Sequence, residues 1–195
     1  MLEGPTKEEL AALSQYDSFS KELKAFMERM CYPKLDAIIG GWTILHHAVD
    51  LTVREPDLRM VVDELLTHVS SEFVNLRIRS DAERAPGWTV MHIVASGKDP
   101  SGIRGHVVNS LVAARASIDA TRDREMTPLL MAASTANLLV VQALLEARAN
   151  PHLASSKGAT AFDFAWNNAG VQEVFKRLKV SKGTGTEGKG EGRCQ

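Results

Sequence analysis

Residues 125–132 read Glu125-Met-Thr-Pro-Leu-Leu-Met-Ala132, and the same phrase returns three more times along the chain. It stands earlier as Gly41-Trp-Thr-Ile-Leu-His-His-Ala48 and Gly87-Trp-Thr-Val-Met-His-Ile-Val94, and later as Gly158-Ala-Thr-Ala-Phe-Asp-Phe-Ala165. The anchoring threonines, Thr43, Thr89, Thr127 and Thr160, are spaced by 46, 38 and 33 residues. A second phrase follows the first three copies, an apolar pair and then a turn: Leu65-Leu66, Leu111-Val112 with Arg115, and Leu144-Leu145 with Arg148. The third unit, 33 residues long, is the ground form. The second unit carries 5 extra residues between its two apolar stripes, and the first carries the same 5 plus 8 more before the next Gly.

Elementary helix chemistry explains the phrase. Thr caps a helix through its hydroxyl, and Pro128 stands at the first helical position, where a missing N–H costs nothing. Gly41, Gly87 and Gly158, two residues before their threonines, suit a turn that needs positive φ. Leu129, Ala132 and Ala133 give one helical stripe, and Val140, Val141, Leu144 and Leu145 give a second. Neither helix can bury its stripe alone, so stacked units must make the core.

On these residues the chain resembles the ankyrin repeat, whose signature is Thr-Pro-Leu-His-x-Ala on a 33-residue period. Thr127-Pro-Leu-Leu-Met-Ala-Ala133 with Val140 to Leu145 matches it most fully, and the likeness extends over roughly residues 18–180. The resemblance implies an all-α, helix-turn-helix solenoid of about four repeats plus an N-terminal half-repeat cap. The expected divisions are a cap over 18–40 and units over 41–86, 87–124, 125–157 and 158–180. An N-terminal helix is expected over 1–17, where Thr6-Lys-Glu-Glu9 forms a capping box ahead of Leu10 and Leu13. Leu23, Phe26, Met27 and Met30 supply the stripe of the half-repeat, and Val171, Val174, Phe175 and Leu178 close the far end. Residues 181–195 hold 5 of the 14 glycines and no large apolar side chain, and read as a disordered tail.

Several positions depart from the pattern. The Gly that usually ends the second helix is Arg115 and Arg148 here, and the loop Gly has become Glu125. If these residues keep left-handed geometry, each costs about 1 kcal/mol. Ile44, Val90 and Ala161 replace the proline, and Leu130 and Asp163 replace the histidine. A modestly stable array is expected, not a rigid one.

Composition narrows the function. The chain has 195 residues, 44% hydrophobic and 24% charged, with 23 Lys+Arg against 24 Asp+Glu. A net charge of −1 lacks the basic excess of a phosphate-backbone binder. Cys31 and Cys194 make neither a disulfide framework nor a zinc signature. No signal-peptide core, long apolar run or lipidation box is present, so the expected setting is cytoplasmic, with no membrane and no nucleic acid as partner.

No active site emerges. Gly183-Thr-Gly185-Thr-Glu-Gly188 fits a dinucleotide fingerprint in letters only, since no strand feeds it and no helix can follow it. Adjacent His46 and His47 point about 100° apart on a helix and cannot converge on one metal. His68, His106 and His152 have no evident ligand partners, Glu8-Glu9 and Asp99 belong to surface-like stretches, and no nucleophile motif is present. The expected enzyme activity, cofactor and metal are therefore none. The ankyrin resemblance implies instead that His46 and His92 hydrogen-bond the loop of the neighbouring unit.

Trp42, Trp88 and Met126 share the position just before the cap threonine, which the resemblance places at the base of a loop finger on the concave face. The same face would receive Asp50, Ser96, Ser134, Thr135 and Asn167. Two readings of the tryptophans stand side by side: they anchor a partner, or they pack on neighbouring loops and stiffen the stack. Residues 51–57 and 97–105 are expected to lengthen turns between paired helices, and 69–86 to make an enlarged finger with Arg77, Arg79 and Arg84 beside Asp81 and Glu83. The function expected is a non-catalytic protein-protein interaction module, the chain itself a monomer. The alternative is a regulatory or targeting subunit that modulates a bound enzyme.

Overall fold

The computed structural model of the chain describes residues 19–97 and 102–180. The helix expected over 1–17, the tail 181–195 with its glycine motif and Cys194, and residues 98–101 of the second insert lie outside the described residues.

Ten α-helices form among the described residues. The first, α1 (Lys21–Arg29), stands alone. Four pairs follow: α2 (Ile44–Leu51) with α3 (Leu58–His68), then α5 (Val90–Ala95) with α6 (Ile103–Ala113), with the short α4 (Ser71–Val74) in the loop between these pairs. The last two pairs are α7 (Pro128–Ser134) with α8 (Leu138–Glu146), and α9 (Ala161–Phe164) with α10 (Ala169–Arg177). The helices pack in two rows. The inner row runs α2, α5, α7, α9, and the outer row runs α1, α3, α6, α8, α10, each helix against the next in its row.

The repeated phrase makes the inner row in the way its chemistry dictates. Thr43 accepts from the His46 N–H at 3.4 Å and Thr127 from the Leu130 N–H at 3.3 Å, while Pro128 opens α7. The outer helices α8 and α10 are capped by Asn137 and Asn168, which accept from Val140 and Val171. The apolar stripes of both rows meet in one core: Leu45, Met91 and Leu129 from the inner row and Val62, Val108 and Val141 from the outer are all essentially inaccessible.

Four of the five outer helices, all but α3, end with a left-handed residue that is not glycine. Cys31, Arg115, Arg148 and Lys179 have φ of 57°, 63°, 69° and 55°. The following N–H reaches back to the helix, as in Ala116 to Leu111 and Ala149 to Leu144, both at 2.9 Å. Glu125 also keeps positive φ, as does Arg124 before it. The strain expected at Arg115, Arg148 and Glu125 is therefore present.

The fold is not purely helical. Ile38–Ile39 (β1) pairs antiparallel with Trp42–Thr43 (β2) across Gly40 and Gly41, whose φ values of 56° and 82° let the chain reverse in two residues. A Cβ at Gly41 would meet the Ala82 Cβ at 2.6 Å, so this turn also lets the next finger approach. The enlarged finger of the first unit has its own anchors. Helix α4 is capped by Ser70, and Val74 and Ile78 are each 1% exposed.

Candidate partner-binding surface

One register position recurs along the inner row, seven residues after each cap threonine: Asp50, Ser96, Ser134 and Asn167. It lies at or just beyond the C-terminal end of each inner helix. Ser134 and Asn167 are exposed, and Asp50, Ser96 and Thr135 are half-buried. The hydroxyls of Ser96, Ser134 and Thr135 turn back onto their own helices, donating to the carbonyls of Ile93, Met131 and Met131 at 2.9, 2.8 and 3.1 Å. Asp50 is occupied: the Arg84 guanidinium holds it with two bonds of 2.8 and 3.0 Å.

The tryptophans are engaged from the next finger. Trp42 is 4% exposed, donates its indole N–H to the Arg84 carbonyl at 3.1 Å, and carries the Arg84 guanidinium 5.3 Å from its ring centre. Trp88 is half-buried and carries the Arg122 guanidinium at 4.7 Å. Each arginine stands three residues before the finger residue at 87 or 125, so the two contacts are one device used twice. The third finger breaks the series, with half-buried Met126 and, in the finger after it, buried Ser155 at the arginine's position. Trp42 thus has almost no surface left for a partner, whereas Trp88 and Met126 keep some.

The fingers are further tied by a second repeated contact. The Asn75 side chain accepts from the Ser117 N–H at 2.6 Å, and Asp119 accepts from the equivalent N–H of the next unit, that of Asn150, at 3.0 Å. Arg77 bridges two fingers through the Gly87 and Thr121 carbonyls at 2.9 and 2.7 Å. Arg84, Arg122, Asn75 and Asp119 were not singled out as repeat elements by the sequence reading. For the two arginines the signal is there nonetheless, as a matched spacing of three residues to the finger turn.

His46 and His92 sit within the joints of the units. Each Nδ1 sits on its cap threonine hydroxyl, at 2.7 and 2.8 Å, and faces the threonine N–H. Nδ1 therefore accepts and Nε2 carries the proton. His92 Nε2 donates to the Met126 carbonyl of the next finger at 3.1 Å, as the resemblance implies. His46 does not complete that bond: its Nε2 is buried without a hydrogen-bond partner. The equivalent carbonyl, that of Trp88, accepts the Ile78 N–H at 2.7 Å, just as the Met126 carbonyl also accepts the Arg122 N–H at 3.0 Å. Burial pushes both imidazoles down to about 4, with the His47 charge adding to the effect at His46. His47 is also lowered, chiefly by burial.

Between the first two fingers lies an open groove of about 610 Å³, with Ile38 and Ile39 on one wall and Arg79, Ala82 and Arg84 on the other. Ile38 and Ile39 are exposed, and Arg79 is already paired with Asp81 at 2.9 Å. Among the described residues, no three His, Cys, Asp or Glu side chains converge as a metal site, and no helix is long and apolar enough to cross a membrane. The family model for the ankyrin repeat matches residues 124–156. No curated protein sequence matches the chain.

Proposed function

We propose that this chain, which carries an ankyrin repeat, is a non-catalytic adaptor that holds a protein partner along the inner row and the loop fingers. The partner surface runs through Trp88, Ser96, Met126, Ser134, Thr135 and Asn167, with Asp50 at its first-unit end and Trp42 as a buried support. The observation that carries this reading is the recurrence of one register position along the inner row. It gives small or polar side chains at regular intervals, beside fingers locked to each other by Arg84, Arg122, Asn75 and Asp119. Such a surface is preorganised, so binding costs little ordering of loops. Inner helices of 8, 6, 7 and 4 residues against outer helices of 11, 11, 9 and 9 favour a stack that curves toward the inner row, a solenoid with that row concave. Residues 18–180 form the binding body in this reading.

The test compares wild type with Ser134→Arg/Asn167→Arg as bait in an extract of the source cell. Both substitutions are at exposed positions, so circular dichroism should be unchanged. A protein held by wild type and lost by the double variant supports the inner-row surface. A partner that binds both equally places the binding elsewhere and ends this reading.

A further inference from the structure

The register that runs through the inner row has an anomaly at its last position. Six residues after each cap threonine the chain has Val49, Ala95, Ala133 and then Trp166. The first three are 0%, 0% and 2% exposed, because the next inner helix packs over them. Trp166, beyond α9, is 77% exposed, the most open of the large hydrophobic side chains among the described residues. The outer half of the same end is treated differently. Where α3, α6 and α8 turn Val62, Val108 and Val141 toward the core, α10 has Gln172, which satisfies itself on the Ala165 and Trp166 carbonyls at 3.2 and 2.7 Å. Where α8 has Leu145, α10 has exposed Lys176. The outer row is thus closed with polar groups, as the end of a stack requires. The inner row is left as if one more helix should lie against α9.

We propose that this place is filled by the N-terminal segment of a second copy of the chain, residues 6–17, packed as the next inner-row helix. Three features select that occupant. The surface continues the interface that joins α2 to α5, α5 to α7 and α7 to α9, and so it fits a single helix with an apolar stripe. Residues 6–17 offer such a helix on sequence, with the capping box at Thr6 to Glu9 and then Leu10, Leu13 and Tyr16 at spacings of 3. The charges also match. Residues 1–18 carry Glu3, Glu8, Glu9 and Asp17 against Lys7, while the last unit exposes Lys157, Lys176, Arg177 and Lys179 against Asp163 and Glu173. The residues after Val180 hold no large apolar side chain that could cover the indole instead.

The contact must be made between molecules. Phe19 precedes α1, four outer-row steps of about 8–10 Å each from α10. The helix that the sequence predicts over 6–17 would leave only Ser18 to span that distance, a reach of about 3.5 Å. The contact is therefore head to tail, and an unclosed head-to-tail contact propagates. This reading replaces the expected monomer with concentration-dependent chains, and it leaves the inner-row partner surface free.

Sedimentation of the full chain between roughly 1 and 300 µM tests it, a range that spans weak to moderate association. The average mass of wild type should rise with concentration, less so at high salt. Trp166→Glu and Leu10→Asp/Leu13→Asp should each be monomeric, with at least about tenfold weaker self-association. Mixed together, these two variants still hold one intact helix and one intact end between them, and should form a one-to-one dimer that stops there. Lys176→Glu should weaken association without altering circular dichroism. The proposal is overturned by a wild type that stays monomeric throughout, by association that survives Trp166→Glu, or by a mixture that fails to pair. A failure here would leave the inner-row reading standing, since its own test uses Ser134 and Asn167.

Discussion

The first and second junctions of the inner row are built from the same phrase and held in different ways. At the second, His92 joins its cap threonine to the Met126 carbonyl of the next finger and leaves nothing unmatched. At the first, His46 makes the threonine contact but its Nε2 stays without a hydrogen-bond partner. At the rim of this junction Arg84 reaches Trp42 through its carbonyl and its guanidinium and also clamps Asp50, a carboxylate partner that Arg122 at the second junction lacks among the described residues. A buried polar group without a partner costs more than a missing exposed contact, so the first junction is the weaker one.

Acid should show the largest effect on both. The imidazoles of His46 and His92 are held at about 4, against 6.5 in the unfolded chain, so below about pH 6.5 the unfolded state takes up protons that the native state refuses. Their contribution is full above that pH and is lost as pH falls toward 4, up to about 3 kcal/mol for each histidine. Urea melts at pH 7 and pH 4.5 measure it. Equal midpoints at the two pH values would refute the buried, neutral assignment.

Removing the histidines one at a time separates the junctions. His92→Ala leaves a cavity and removes the imidazole bond to the Met126 carbonyl, which keeps only the Arg122 N–H, a loss of about 3 kcal/mol. His46→Ala leaves a comparable cavity but removes a donor that had no partner, so about 2 kcal/mol is expected. Denaturant midpoints of the two variants at pH 7 check the order. If His46→Ala proves the more damaging, the first junction is not under-satisfied.

This asymmetry marks the limit of what the sequence discloses. The four threonines, Pro128 and the paired apolar stripes are local signals, and they announce the inner and outer helices directly. Left-handed geometry at Arg115, Arg148 and Glu125 could also be read, because the units align position by position. The Ile38–Ile39 ribbon and the unpartnered Nε2 of His46 could not. Both depend on the placement of backbone groups in turns and loops, and hydrophobic periodicity carries no record of that. The candidate surface was legible as a register, while the state of each side chain was not. Asp50 reads as a free carboxylate until Arg84 is seen on it, and Trp42 as either an anchor or a stiffener until its burial is known.

The rim contacts give smaller effects. Arg84→Ala removes a bidentate pair and a ring contact that are partly in water, so about 1 kcal/mol is expected. Arg122 has the ring of Trp88 and the Met131 sulfur but no bidentate carboxylate, and Arg122→Ala should cost about half as much. Tryptophan fluorescence should shift in both, since each guanidinium lies over an indole. Equal losses would mean that the first junction gains nothing special from Arg84.

The outer row offers the finest contrast. Helix α8 ends at Arg148 in left-handed geometry, while α3 of the enlarged first unit ends at Val69 with φ −109° and ψ 151° and needs no such residue. A glycine therefore has opposite consequences at the two ends. Arg148→Gly relieves a strained φ and should stabilise by about 1 kcal/mol. Val69→Gly gives up an apolar side chain packed on the core and frees a backbone that was already relaxed, so it should destabilise by a similar amount. Thermal melts of the two single variants read the sign directly. If both stabilise, the extended exit from α3 is not the conformation the first unit prefers, and the enlarged finger is held only by its rim.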